Sequence, residues 1–97
     1  MIIHIVSWRL KEANKAENAA LIKEKLEALR GVIPEIHKIE VGIDFSRVET
    51  SADLAVYSEF KNRADLQAYI VHPAHQEVVS FIKEVIAERR LIDYERA

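Results

Sequence analysis

The chain has 97 residues, 49% hydrophobic and 31% charged, a balance that suits one folded domain with one core. Its 14 Lys and Arg stand against 16 Asp and Glu, a formal charge of −2, which argues against a nucleic-acid footprint and against attraction to an anionic membrane. The absence of cysteine excludes disulfides, thiolate metal sites and a Cys nucleophile, and two Gly and two Pro leave no Gly-rich phosphate loop and no Pro-rich linker.

No apolar run approaches the ~18–20 residues that span a bilayer. The opening Met1-Ile2-Ile3-His4 lacks a basic n-region, so no secretory signal is read here and a cytoplasmic protein is expected. Residues 2–10 alternate as a strand, with Ile2, His4, Val6, Trp8 and Leu10 on one face and Ile3, Ile5, Ser7 and Arg9 on the other. Both faces begin apolar, which predicts a central strand. Asn14 is expected to open a helix in a capping-box pattern with Glu17. Ala19, Ile22, Leu26 and Leu29 form its apolar stripe, and the charged run from Lys23 to Glu27 reads as its wet face. Gly31 fits the left-handed position after such a helix, and Pro34 forbids its continuation.

Residues 35–44 predict a second strand, with His37, Ile39, Val41 and Ile43 on one face and a mixed set opposite, as suits an outer position. After a polar connection, residues 53–60 predict a third strand, apolar on both sides. Asn62 caps a second helix with Asp65 in its first turn. That helix is interrupted at His72-Pro73 and resumes with His75, Val78, Ile82 and Val85. Glu88, Arg89 and Arg90 read as its end, and residues 91–95 as a short last strand. The order is βαββαβ, an α+β ferredoxin-like arrangement over a single domain, residues 1–97, with a four-stranded antiparallel sheet and helices on one face. Right-handed crossovers put the first and third strands in the middle. The opposite face would expose Ile3, Ile5, Ala55 and Tyr57, so a homodimer packed sheet to sheet is expected.

Five segments share one further pattern. They are Ile-Ile-His-Ile-Val-Ser-Trp-Arg-Leu-Lys at 2–11, Gly-Val-Ile-Pro-Glu-Ile at 31–36, Asp-Leu-Ala-Val-Tyr-Ser-Glu-Phe at 53–60, Tyr-Ile-Val-His-Pro-Ala-His at 69–75 and Ile-Asp-Tyr-Glu at 92–95. Together they resemble the stress-responsive A/B barrel domain (Dabb) family, and the Tyr-x-x-His-Pro-x-His element is the most specific of them. The resemblance covers nearly the whole chain and implies a dimeric α+β barrel with a stress-related role. One branch of the family, olivetolic acid cyclase, closes a ring on a linear polyketide thioester with a His and a Tyr as acid–base groups. The matching positions here are His75 and Tyr69, with His4 as a supporting His on the first strand. That branch also carries a His on the third strand and a Tyr on the first helix, where this chain has Leu54 and Leu26.

Near the start of a helix, a neutral His75 imidazole could serve as general base, with the Tyr69 phenol hydrogen-bonded to a developing enolate. On an unbroken helix the two side chains would point roughly 240° apart, at ~100° per residue, so the break at His72-Pro73 is a condition of that chemistry. The opposing reading has Tyr69 packing on the sheet and His75 bonding locally. His4, on an apolar face, needs a polar partner in either case. A helix–sheet cleft lined by Val6, Trp8, Leu26, Leu54 and Val78 beside these three residues is expected to take a small apolar or carbonyl-containing ligand. No cofactor is expected. His72 and His75 have a His-x-x-His spacing, but the proline between them and the lack of a carboxylate set argue against metal.

Overall fold

Continuous apolar alternation favours a buried strand, and in the computed structural model, which describes residues 1–97, Ile2–Leu10 form β1. The remaining elements are α1 (Lys15–Ala28), β2 (Lys38–Ile43), β3 (Leu54–Phe60), α2 (Arg63–Val71), α3 (Pro73–Val85) and β4 (Ile86–Glu95). A single 3₁₀ turn, Leu29–Gly31, follows α1. The sheet is antiparallel throughout, in the order β2-β3-β1-β4, so the two strands with apolar residues on both faces are the central ones. The fold is ferredoxin-like. No helix is long and apolar enough to cross a membrane.

The helices cover the face that carries Ile2, Val6, Trp8 and Leu10 of β1 and Leu54, Val56 and Phe60 of β3. Ile22, Leu26 and Leu29 of the first helical segment, Leu66 and Tyr69 of α2, and Val78 and Ile82 of α3 complete that core. The helices pack chiefly over β1, β2 and β3 and leave β4 as an uncovered flank. Arg89, Leu91 and Asp93 on its helix side are therefore exposed.

Several boundaries differ from expectation. Asn14 does not cap α1 through its side chain, because it takes the left-handed conformation (φ 57°), which Asn tolerates, and so its carboxamide caps nothing. Gly31 has no positive φ, since the 3₁₀ turn ends the helix without a left-handed residue. β2 starts at Lys38 rather than residue 35. Pro34 and Glu35 lie in a turn that buries Ile36. β4 is twice the expected length, and Glu88, Arg89 and Arg90 belong to it rather than to a helix end. The cause is tertiary. β1 presents nine residues whose outer hydrogen-bonding edge is satisfied only by a strand running from Leu10↔Ile86 to Ile2↔Glu95. The Asn62 cap forms as expected, its Oδ1 accepting from the Asp65 N–H at 2.8 Å.

Side chains of α1 close the β2 edge. Glu27 Oε2 accepts from the Val41 N–H at 2.9 Å, and Lys23 Nζ donates to the Val41 carbonyl at 2.7 Å and to Glu27 at 2.8 Å. These two residues of the supposed wet face thus occupy the positions a fifth strand would take. On the helix-free face, Ile5, Ala55 and Tyr57 are half-exposed, while Ile92 and Tyr94 stand 55% and 43% exposed. Ile3, expected bare, is fully covered. It pairs with Glu59 on one side and Tyr94 on the other, and Arg96 reaches across β1 at this level to the Tyr57 hydroxyl and Glu59.

Candidate functional site

The site begins at the helix break. His72 has extended dihedrals (φ −62°, ψ 134°), ending α2 and capping α3, with Pro73 at the first helical position where its missing N–H costs nothing. The His72 Nδ1 accepts from the Ala74 N–H at 3.0 Å, so this nitrogen serves as a cap, and the His-x-x-His pair does not converge as a chelate. In a continuous helix that N–H would have gone to the Ile70 carbonyl. The break releases the carbonyl, which instead accepts from His75 Nδ1 at 3.0 Å and from Gln76 Nε2 at 2.6 Å. The backbone discontinuity therefore fixes the His75 ring. With the Nδ1 proton given to Ile70, the neutral imidazole keeps its lone pair on Nε2.

Tyr69 and His75 meet across the break, their ring centroids 4.2 Å apart. The condition set by the helical angles is thus fulfilled. Tyr69 also packs against Phe60 at 5.0 Å and against the edge of His4 at 6.0 Å. His4, 5% exposed, donates from Nδ1 to Asp93 Oδ1 at 2.5 Å, and Asp93 sits directly opposite it in the β1–β4 register. The polar need of this buried His is met by β4.

These three rings line a cavity of about 320 Å³ between α2, α3 and the β1–β4 half of the sheet. Its floor includes Val6, Trp8 and Val56, and its helical wall includes Leu26, Ile70, Val79 and Ile82. Arg89, Leu91 and Asp93 of β4 and Lys83 of α3 complete the rim, where β4 runs beyond the helical cover. Two expected lining residues lie elsewhere. Leu54 is buried in the core opposite Trp8, and its accessible side belongs to a different depression beside Phe45. Val78 faces the core, and one residue further, about 100° around the helix, Val79 takes its place.

The electrostatics follow from burial. Tyr69 is 1% exposed, and burial raises its phenol well above the ordinary tyrosine range, so the hydroxyl stays protonated. It makes no hydrogen bond within the protein, yet it is not sealed from the cavity it lines. Burial also lowers the His75 imidazole below its ordinary 6.5, against the opposing pull of the Ile70 bond, and the nearby His4, Arg89 and His72 add to the lowering. The pair is therefore a neutral base beside a neutral hydrogen-bond donor.

Asp93, Arg89 and Lys83 were not among the sequence candidates. A buried His on an apolar strand demands an acceptor on a neighbouring strand, and Asp93 in the closing Ile92-Asp93-Tyr94-Glu95 segment was such a signal. Arg89 was hidden by the placement of residues 88–90 in a helix. Lys83 follows His75 and Val79 at a spacing of four and is legible once the helix is known to restart at Pro73.

No curated protein matches the sequence. A dimeric ferredoxin-like protein of unknown function from Bacteroides fragilis is similar at 33% identity and a TM-score of 0.90, covering 98% of this chain and 95% of that one. A dimeric ferredoxin-like protein of unknown function from Thermobifida fusca has 24% identity and a TM-score of 0.85, covering 96% of this chain and 88% of that one. The hydroxynitrile lyase of Passiflora edulis shares the fold at 20% identity and a TM-score of 0.84, covering 96% of this chain and 90% of that one. The family model of the stress responsive A/B barrel domain matches residues 2–96, and the chain belongs to that family.

Proposed function

We propose that the protein is a homodimer in which each protomer takes a small carbonyl-containing ligand into the cavity between α2, α3 and the sheet. The observation that carries this reading is the Tyr69 hydroxyl, a donor without a protein partner on an almost fully buried residue, facing an otherwise largely apolar space. A carbonyl oxygen satisfies that donor, and the apolar body of such a ligand suits Val6, Trp8, Leu26 and Val79. The half-exposed Ile5, Ala55 and Tyr57 with Ile92 and Tyr94 form the helix-free patch that supports the dimer. The Bacteroides fragilis protein, a third identical, is described as dimeric.

A second reading rests on His75. Its Nδ1 is tied to Ile70 and its depressed basicity keeps it neutral, which suits a general base for a cofactor-independent lyase or cyclase reaction. His75 Nε2 takes the proton from the carbon beside the carbonyl, and the C–H electron pair moves into the C–C bond as the carbonyl π pair moves to oxygen. The Tyr69 hydroxyl stabilises that oxygen; as the enolate re-forms its C=O, its carbon bonds to a second carbonyl carbon of the same ligand, whose π pair moves onto its oxygen, and that alkoxide takes the proton back from Nε2. His4, held by Asp93, positions the Tyr69 ring from the sheet side.

Trp8 is the chain's one tryptophan and lines the cavity, so its indole N–H resonance reports occupancy. A panel of small aromatic and β-keto carbonyl compounds is expected to shift that resonance in the native protein and far less in Tyr69→Phe. If no compound moves it, the binding reading fails. If compounds bind but no α-proton exchanges with deuterated solvent, the His75 reading fails and binding stands. Light scattering is expected to give twice the 11.2 kDa of one chain, and Ile92→Lys to lower that mass. A native species at the mass of one chain at micromolar concentration overturns the dimer.

A further inference from the structure

The cavity is apolar in the middle and charged at one end. His75, Val79 and Lys83 follow one another at a spacing of four along α3, so all three lie along one face, with Lys83 ~12 Å beyond His75. The returning strand β4 repeats the arrangement. Asp93 pairs with His4, and Arg89, four residues earlier, pairs with Trp8, ~13 Å along the strand. The acid–base groups therefore sit towards one end of the cavity, and the backbone carries Lys83 and Arg89 towards the other, with the long Arg89 side chain still near His75. Like most of the chain's Lys and Arg, neither cation has a carboxylate within salt-bridge distance; these two are the ones that line the cavity. The one carboxylate on the cavity wall, Asp93, is held at 2.5 Å by His4 at the opposite end. Two cations on the rim of one apolar slot, without an anion beside them, suit a negative group on whatever fills that slot.

We infer that the ligand is an anionic carbonyl compound, with a carboxylate gripped by the long Arg89 and Lys83 side chains reaching back along the slot and a carbonyl delivered to Tyr69, the two separated by an apolar spacer. Arg89 and Lys83 are then specificity-determining residues. This rests on the ligand-binding reading above and deepens it by naming the ligand class. The guanidinium offers a planar fork to the carboxylate, and the ammonium supplies a second, more mobile contact. Both side chains are exposed, so their replacement leaves the core untouched.

The test uses two probes of one shape, 4-acetylbenzoate and the neutral 4-acetylbenzamide, each titrated against the intact protein and followed at the Trp8 indole. The benzoate is expected to bind about tenfold more tightly, the effect of one good charge-assisted hydrogen-bonded contact, and to weaken as salt is raised. In Arg89→Gln/Lys83→Gln the benzoate is expected to lose its advantage over the amide measured in the same variant, and Arg89→Lys is expected to recover part of the preference. Equal binding of the two probes by the native protein, or a preference that survives the double substitution, overturns this inference and leaves the cavity reading intact. Failure of both probes to move the Trp8 resonance overturns the two together.

Discussion

Tyr69→Phe separates stability from function more cleanly than any other substitution in the site. Phe keeps the ring that packs against Phe60 at 5.0 Å and His75 at 4.2 Å, so no cavity opens in the core. A buried tyrosine that donates to the protein loses about 0.5–1.5 kcal/mol when its hydroxyl is removed, and up to about 3 if its acceptor is left buried and unpaired. Here the hydroxyl has no protein acceptor, so nothing is orphaned, and the expected change in unfolding free energy lies within about 0.5 kcal/mol of zero. For a 97-residue chain that is a shift of at most about 4 °C in melting temperature. Binding should behave differently. Loss of one neutral hydrogen bond to a carbonyl weakens the complex by about 0.5–1.5 kcal/mol, roughly two- to tenfold. If the protein turns its ligand over, removal of the donor that meets the developing oxyanion lowers kcat by about 10²–10³. Urea unfolding followed by Trp8 fluorescence measures the first quantity, and calorimetric titration with 4-acetylbenzoate measures the second. A stability loss above about 1 kcal/mol would show that the hydroxyl serves the fold. An unchanged affinity would show that it does not touch the ligand.

Three further outcomes are expected. The His75 ring proton should titrate by NMR with an inflection below 6.5, because burial disfavours its charged form; the unfolded chain then takes up the proton first, so stability falls as pH drops from about 6.5 towards the folded value, and an inflection above 6.5 refutes the burial argument. Asp53→Ala should cost about 2 kcal/mol in urea unfolding, since the buried Leu10 N–H donates to this carboxylate at 2.7 Å and Lys15 and Arg47 flank it at 3.6 and 3.4 Å, while Asp53→Asn should cost distinctly less; equal costs would place the effect in packing. Glu27→Ala should lose about 0.5–1 kcal/mol and raise light scattering on heating by uncovering the Val41 edge; and because the bonds from Lys23 and Val41 hold the Glu27 carboxyl below its ordinary 4.5, its contribution in the native protein should vanish as pH falls through that lowered value.

What the sequence made legible was whatever a single element decides for itself. Period-2 alternation with apolar residues on both faces identified β1 and β3 as central, and the Asn62 cap and the Pro73 restart are short-range steric and hydrogen-bonding events. The resemblance carried by Tyr69, Pro73 and His75 pointed to the site, and the helical angles showed that only a break could unite its two side chains. What remained hidden was decided by neighbours. Arg89 and Arg90 have no strand signature of their own, and they extend because β1 needs a partner along its full length. Val78 and Val79 are the same residue type, and only the packed orientation of α3 chooses which one meets the cavity. Asn14 carries a cap signature, yet its backbone takes a left-handed turn between β1 and α1, and the side chain caps nothing. The charged rim of the cavity belongs to the same class. Lys83 and Arg89 are unremarkable in sequence, six residues apart on different elements, and they reach the rim of one cavity only because the chain reverses at Val85 and returns along β1 as β4. The Tyr69–His75 end of the cavity is set by a local motif, and its charged end by tertiary geometry. Substitution of Arg89 should therefore change which carbonyl compounds bind without moving the Tyr69–His75 pair.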